Sequence, residues 1–387
     1  MPTRPPLVLS TASFISSFDR FAVTPMLVLI ALSMHVPMAS AVTVASGYFL
    51  AYGLSQPVWG ILSDRFGRIP IMRATLLAAA ATGLLSTFAP SLPVLIAARV
   101  LAGAFMGAVV PTTLTYVGDT VSQQRRQGAL SDLMAAQALG TAMAMAVGGV
   151  LAHWLDWRVV FAVPAVCAAV CALLLRNLPE PQRAAVTGGV GAHIGGVLRN
   201  RWALLVFGLV FVEGAVLLGT MTFLASALVS EGLDVAVAGL ATGAYGVGVL
   251  VFSRVVKAIN SKLPVSALIA IGGSQMVVGY ALVSLDTNLT TTIITALLLG
   301  GGWSFMHSSL QAWATEVAPE ARGTAVALFA CALFLGSAAA SAAAGPLADH
   351  DQYTTLFTTA GAVAIPLAAT ATYARNRYKH KKTPQPA

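Results

Sequence analysis

Charge is what this chain has least of. Asp, Glu, Lys and Arg make up 9% of its 387 residues, where a soluble protein carries about 25%. So little charge cannot coat a surface exposed to water, and nothing in the sequence sets apart a soluble domain. Cysteine is nearly missing too. Cys167, Cys171 and Cys331 are the only three, and each lies in an apolar stretch, where small hydrophobic packing is the usual role of a free thiol. The sequence has no zinc-ligand spacing, phosphate-binding loop, ATP-site motif or serine-nucleophile elbow. These gaps exclude a disulfide framework. They also argue against ATP-driven work within this chain and against an enzyme, and no metal or cofactor is expected.

Hydrophobic residues are what the sequence has in abundance, at 57%. They fall in runs of about 20 residues, each long enough to cross a bilayer as a helix. Windows of that length place spans near 7–32, 41–61, 70–89, 93–117, 128–152 and 158–176, then near 201–228, 236–256, 264–284, 289–314, 323–347 and 354–374. The fold class is therefore all-α: a polytopic membrane protein with twelve transmembrane helices in two pseudo-symmetric six-helix bundles. Residues 1–176 make the N-terminal bundle. Residues 201–387 make the C-terminal bundle with its basic tail. Between them, NLPEPQRAAVTGGVGAHIGGVLRN (177–200) is rich in Pro, Gly and Arg and reads as a cytoplasmic linker with a short amphipathic helix. The first apolar run is too long for a signal peptide and has no clear cleavage site after it, so it is expected to be retained.

A net charge of +8 on its own suggests a nucleic-acid partner, but the placement of the charge says otherwise. With the N-terminus inside, Arg4, Arg65, Arg68, Arg73, Arg125, Arg126, Arg176, Arg183, Arg199, Arg201, Arg254, Lys257, Lys262, Arg322 and the tail from Arg375 to Lys382 all face the cytoplasm. Of the 22 Lys and Arg residues, only Arg158 falls outside, while Arg20 and Arg99 fall within spans. That asymmetry sets both termini in the cytoplasm of a multi-pass protein of the cell (inner) membrane. The basic groups then face anionic lipid heads. Membrane lipid is the expected partner, nucleic acid is not, and a monomer is expected.

The halves also echo each other. YVGDTVSQQRRQGAL follows the fourth span and WATEVAPEARGTAV follows the tenth. Asp119 precedes Arg125 by the same spacing as Glu316 precedes Arg322, about half the chain later. Two six-helix halves related in this way suggest a transporter with its site at their interface.

Four segments carry a more specific likeness. GILSDRFGRIPIM (60–72) resembles a signature of the form Gly-x-Leu-(Ala/Ser)-Asp-Arg-x-Gly-Arg-(Arg/Lys). Gly60, Leu62, Ser63, Asp64, Arg65, Gly67 and Arg68 match it between the second and third spans, and Ile69 departs at the last position. LIAARVLAGAFMGA resembles a fourth-helix signature with Arg99 as its arginine. GTAMAMAVGGVL resembles part of a fifth-helix antiporter signature through Gly140, Gly148 and Gly149, with Ala144 and Met145 where Gly-Pro is usual. PEARGTAVALF precedes the eleventh span. On these motifs the whole chain resembles the major facilitator superfamily, most closely its twelve-span drug/proton antiporter and sugar-efflux branch. The resemblance implies alternating access by a rocker switch, with a cavity lined by the first, fourth, seventh and tenth helices.

The charges between the second and third spans read physically as a latch. Glycines at a helix end allow close approach of a neighbour. Asp64 is placed to meet the positive N-terminus of a helix from the other half. Arg65 and Arg68 can pair with acids at helix ends, Asp119 foremost. Such contacts near water are worth about a kcal/mol or less each, which suits a gate that opens in every cycle. The plainer reading is a positive-inside turn that fixes topology. The second half has Phe252 near the position of Asp64, so the latch is expected to be asymmetric.

Ionisable groups at membrane depth are expensive and usually face a cavity. Asp19 and Arg20 fall near the middle of the first span, Arg99 in the outer half of the fourth and Glu213 near the middle of the seventh. Two pairings are open: Arg20 with Glu213 across the halves, or Asp19 with Arg99. Asp19 is expected to be the principal proton site, tuned by Arg99 or Arg20, with Glu213 as the second half's counterpart. A static ion pair that orients helices is the alternative. His307 can titrate as well, although a satisfied interior histidine is the commoner case.

Phe18, Phe21, Tyr52, Met106, Gln137, Phe211, Tyr245, Trp303 and His307 are expected along the cavity wall. So apolar a wall favours an amphipathic or aromatic substrate over a hydrated sugar. The reading is a secondary transporter exporting small molecules against protons. A proton-linked sugar or metabolite permease is the alternative within transport, and a non-transporting membrane receptor or scaffold is the alternative outside it.

Overall fold

The computed structural model describes residues 6–181 and 190–378. The basic groups expected at Arg4, Arg183, Lys379, Lys381 and Lys382, and the middle of the linker, lie outside the described residues.

A backbone in hydrocarbon must satisfy its own N–H and C=O groups, which confines an apolar run to a helix. The described residues are accordingly helical, without strands. The first six long helices are α1 (Leu7–Met34), α2 (Met38–Phe66), α3 (Arg68–Thr87), α4 (Leu92–Thr120), α5 (Gln123–Trp154) and α6 (Trp157–Asn177). The second six are α7 (Arg201–Ser230), α8 (Val235–Ile259), α9 (Val265–Leu285), α10 (Leu289–Val317), α11 (Arg322–Asp349) and α12 (Tyr353–Arg377). Eleven of them are long and apolar enough to cross a membrane. The twelfth, α2, is 29 residues long but carries Ser46, Tyr48, Tyr52 and Gln56, which dilute its apolar character. A short helix, Val190–Leu198, lies in the linker.

Helix ends follow from local chemistry. Asp156 and Asn200 accept the backbone N–H of Arg158 and Trp202 to start α6 and α7. Asn288 and Thr291 form a reciprocal capping box at the start of α10. These side chains satisfy N–H groups that have no partner within the helix.

The packing repeats six helices later. In the first half α2 packs on α4, α1 on α5 and α3 on α6; in the second half α8 packs on α10, α7 on α11 and α9 on α12. The halves meet along two seams, α2 against α11 and α5 against α8.

Both seams are tight toward one end only. At the end away from the basic loops, the Ala39 N–H donates to Asp349 Oδ1 at 2.9 Å. A Cβ on Gly149 would lie 2.9 Å from Gly239 Cα. Contact continues inward to Gly53 against Cys331 and to Gly246 against Ala142. Beyond that level the helices part. No residue of α8 from Val251 to Ile259 is buried, and α5 is exposed from Gln123 to Gly128. The described contacts between the halves thus run from mid-depth to the far end, and the α5–α8 seam is open at the basic end.

Four helices depart from regular α geometry near mid-depth. α1 passes through a 3-10 turn at Thr24–Met26, which contains Pro25. α4 is interrupted at Gly107 and Ala108. α7 and α10 each contain a five-residue π-turn, Ala215–Gly219 and Trp303–His307. Such insertions are frequent at functional sites. Two of them, α1 and α7, are the most buried of the eleven apolar spans, at 78% and 67% over their most apolar stretch, against 33% for α12.

Candidate functional site

The first half holds a buried ion pair between α1 and α4. Arg99 Nη1 donates to Asp19 Oδ1 at 2.8 Å, and Nη2 donates to the Asp19 backbone carbonyl at 2.7 Å. The guanidinium lies between the Tyr48 and Phe161 rings, 4.5 and 4.7 Å from their centroids. Arg99 is 0% and Asp19 2% exposed. Asp19 Oδ2 and Arg99 Nε have no hydrogen-bond partner among the described residues. Removing one member of such a pair leaves a buried charge uncompensated, at about 3–5 kcal/mol.

The second half answers with an acid–base pair between α7 and α10. His307 Nδ1 lies 3.0 Å from Glu213 Oε2, and both residues are buried. The imidazole stacks on Trp303 with centroids 3.7 Å apart, and Phe329 lies at 5.2 Å. Glu213 Oε1 has no hydrogen-bond partner among the described residues. Both residues border the π-turns: Glu213 stands just before Ala215–Gly219, and His307 ends Trp303–His307. Of the two pairings open in the sequence, Asp19 with Arg99 is made. Arg20 with Glu213 is not, because Glu213 is taken up by His307 within its own half.

Arg20 has other company. Its Nη2 donates to Ser17 Oγ at 3.3 Å, and its guanidinium lies 4.9, 4.8 and 5.1 Å from the ring centroids of Phe21, Tyr52 and Phe334. Phe18, Phe21, Tyr52, Met106 and Tyr245 are buried, while Gln137 and Trp303 are half-buried.

Phe211 is a correction to the expected wall. Its carbonyl is packed against Gly336 of α11, and the residue is 40% exposed. It borders an apolar groove of about 480 Å³ with Leu50, Ile96, Leu335 and Ala339, on the outer side of the α2–α11 seam rather than in the interior.

At the basic end, Arg68 gathers the gate residues. It pairs with Asp64, its Nη1 donates to Ser63 Oγ at 2.9 Å, and its Nε donates to Asp119 Oδ2 at 3.3 Å. Arg65 lies 5.4 Å from the Phe66 ring centroid. The described partner of Asp64 belongs to its own half, so the expected contact with a helix N-terminus across the halves is not made in this open arrangement. Two glycines also act differently from expectation. A Cβ on Gly60 would meet nothing within 4 Å, so this glycine brings no helix close. Gly67 has φ +107°, a conformation that glycine adopts at little cost, and its role is to turn the chain from α2 into α3.

Sequence reasoning missed Glu180. Its Oε1 accepts the Arg68 N–H at 2.6 Å and its Oε2 accepts the Ile69 N–H at 2.8 Å. Tyr116 Oη donates to the neighbouring Pro179 carbonyl at 3.0 Å. The start of the linker is thereby fastened to the first turn of α3. The signal was available: Gly67 has no side chain with which to cap α3, and an isolated acid follows α6.

Among the expected packing glycines, Gly140 abuts the Phe14 carbonyl on α1 and Gly149 abuts Gly239 across the halves. Gly148 is looser, with Ala22 O 3.4 Å from a would-be Cβ. The tight member of the pair is Gly149, not Gly148.

The sequence profile of the Major Facilitator Superfamily matches residues 9–341 and 214–387. The chain belongs to this superfamily. It is a multi-pass membrane protein of a family of transporters, not of enzymes. It is 27% identical over 325 residues to a chloramphenicol resistance protein of Streptomyces lividans, covering 82% of this chain and 81% of that protein. It is 35% identical over 156 residues to a triacylglyceride transporter of Mycolicibacterium hassiacum, which spans 38% of this chain but only 29% of that protein. The fold matches a crystal structure of the nucleoside transporter NupG with a TM-score of 0.79 at 16% identity, covering 95% of this chain and 99% of that one. It also matches the xylose transporter XylE from E. coli with a TM-score of 0.75 at 15% identity, covering 98% of each chain.

Proposed function

We propose that this transporter exports small amphipathic molecules in exchange for protons, by alternating access between two halves. The observation that carries this reading is the buried Asp19–Arg99 pair with its unpartnered Asp19 Oδ2. A proton taken up at that carboxylate removes its charge and loosens its hold on Arg99. Release of the proton restores the pair. If the protonated and charged forms favour opposite orientations of the halves, a proton gradient drives the cycle.

By the positive-inside bias, the basic end faces the cytoplasm, with both termini there, in the inner membrane. The open state described above is then inward-facing and takes up its cargo from the cell. Residues 1–176 and 201–387 rock against each other about the 177–200 linker, and the unit is a monomer. The likeness to a chloramphenicol resistance protein over most of both chains supports export and names a first cargo to try.

A test is reconstitution in liposomes under an imposed pH gradient, with labelled chloramphenicol. Uphill movement together with proton counterflow is expected. Movement that ignores the gradient would remove proton coupling, and no movement of any amphipathic compound would remove export. A second reading, handling of neutral lipid, draws on the apolar groove beside Phe211 and on the partial likeness to a triacylglyceride transporter. Transfer of labelled triacylglyceride between vesicles tests it.

A further inference from the structure

We infer that Arg20 is an anion-binding group, and that the cargo of this transporter includes aromatic or apolar molecules bearing a carboxylate. The inference rests on the export reading for its physiological sense, but the site stands on its own geometry.

Each other buried charge at this depth is accounted for. Asp19 is held by Arg99, and Glu213 faces His307. Arg20 is 8% exposed, and among the described residues no carboxylate forms an ion pair with it. Its one hydrogen bond there is a long 3.3 Å contact to a neutral hydroxyl, and its Nε has no partner. A buried cation in that condition is costly. The rings of Phe21, Tyr52 and Phe334 offset part of the cost through their π faces, but they supply no acceptor for the guanidinium's planar fork. A carboxylate matches that fork with two parallel charge-assisted hydrogen bonds.

The surroundings suit the rest of such a ligand. Tyr52 and Phe334 meet edge to face at 4.7 Å, and they come from opposite halves. Next to them, Gly53 touches Phe334 and Cys331, at the level where α2 and α11 close together. Toward the basic end the halves part. A molecule reaching that level from the basic end would meet the three rings and the cation where the halves close together. Rings hold its apolar body, Arg20 holds its charge, and contact with Phe334 registers its arrival in both halves.

The test uses the full chain in lipid nanodiscs, titrated calorimetrically with 2-naphthoate and with 2-naphthamide. The two probes share a ring system and differ in charge. The wild type is expected to bind the naphthoate about tenfold tighter or more, the scale of one to two charge-assisted hydrogen bonds. Arg20→Gln should erase that preference and leave amide binding unchanged, which also shows that the variant is folded. Equal affinities in the wild type, or a preference that survives Arg20→Gln, overturn the assignment. If Arg20→Gln binds neither probe, Arg20→Met decides: amide binding with the preference lost supports the site, and a preference that survives without the cation overturns it. The pH-gradient export assay separates this from the parent reading. Absent export with an Arg20-dependent preference removes the transport reading alone, and export without any anion preference removes the site alone.

Discussion

His307 Nδ1 stands 3.0 Å from Glu213 Oε2 in the second half, as Arg99 Nη1 stands 2.8 Å from Asp19 Oδ1 in the first. Helices α7 and α10 thus repeat the layout of α1 and α4 with different chemistry. An arginine stays charged at any accessible pH. A histidine is a weaker base with two ring nitrogens, so the second half's pair is chemically unlike the first.

Asp19→Asn is expected to abolish uphill export while leaving downhill exchange. The substitution fixes a neutral side chain beside Arg99, whose stranded charge should cost about 3–5 kcal/mol and lower the thermal midpoint. Proteoliposome flux with a pH-sensitive dye reads both cargo and protons. Accumulation and proton movement equal to wild type would make the pair structural.

His307→Gln is expected to keep export but flatten its dependence on pH, because it replaces an imidazole with a side chain that exchanges no proton. Glutamine can still hydrogen-bond Glu213, so loss of fold is not the expected outcome. A pH profile superimposable on wild type would remove His307 from the cycle.

Glu180→Ala should loosen the first turn of α3, because two backbone N–H groups lose their acceptor. Loss of a helix cap costs about 1 kcal/mol. Hydrogen exchange in the peptide containing Arg68 and Ile69 should accelerate while the core of α1 stays protected. Unchanged exchange there would show that the clasp contributes nothing in solution.

Asp64→Asn should barely alter stability, by less than about 1 kcal/mol for so exposed an ion pair, yet impair transport. Its described contact is with Arg68 four residues on, so a transport defect without a stability defect points to the other state of the cycle. Full transport at wild-type surface levels would leave Asp64 a topology signal.

Gly149→Leu is expected to reduce transport far more than Gly148→Leu. The first forces a side chain into Gly239 across the halves, while the second meets Ala22 at ordinary contact distance. Equal activity of the two variants would contradict the tight far seam.

Fold class was legible because hydrocarbon leaves few options: long apolar runs become helices, and basic residues show which loops lie together. Asp19, Arg99 and Glu213 stood out because charge at that depth is rare. Their partners were harder to read. Whether Asp19 reaches Arg99 or Arg20 reaches Glu213 depends on side-chain direction around one turn of α1. That Glu213 takes His307 depends on the π-turns, and no residue pattern in α7 or α10 announces them. Glu180 left only an indirect signal, an uncapped α3 and an isolated acid after α6, because its partners are backbone amides, which carry no letter in the sequence. Phe211 misled because an aromatic on an inner helix can still point outward when its own backbone is pinned by Gly336.

The interruptions in α1, α4, α7 and α10 make each of those helices two short rods joined by a knee. A straight helix that swings to shut one end must swing its opposite end by as much. A knee at mid-depth frees the inner rod from the outer one. The halves can then stay clamped at the Gly149–Gly239 contact while the segments beneath them fold over a cargo. Closure becomes two separable movements, and an intermediate shut at both ends, with cargo enclosed, acquires a mechanical basis.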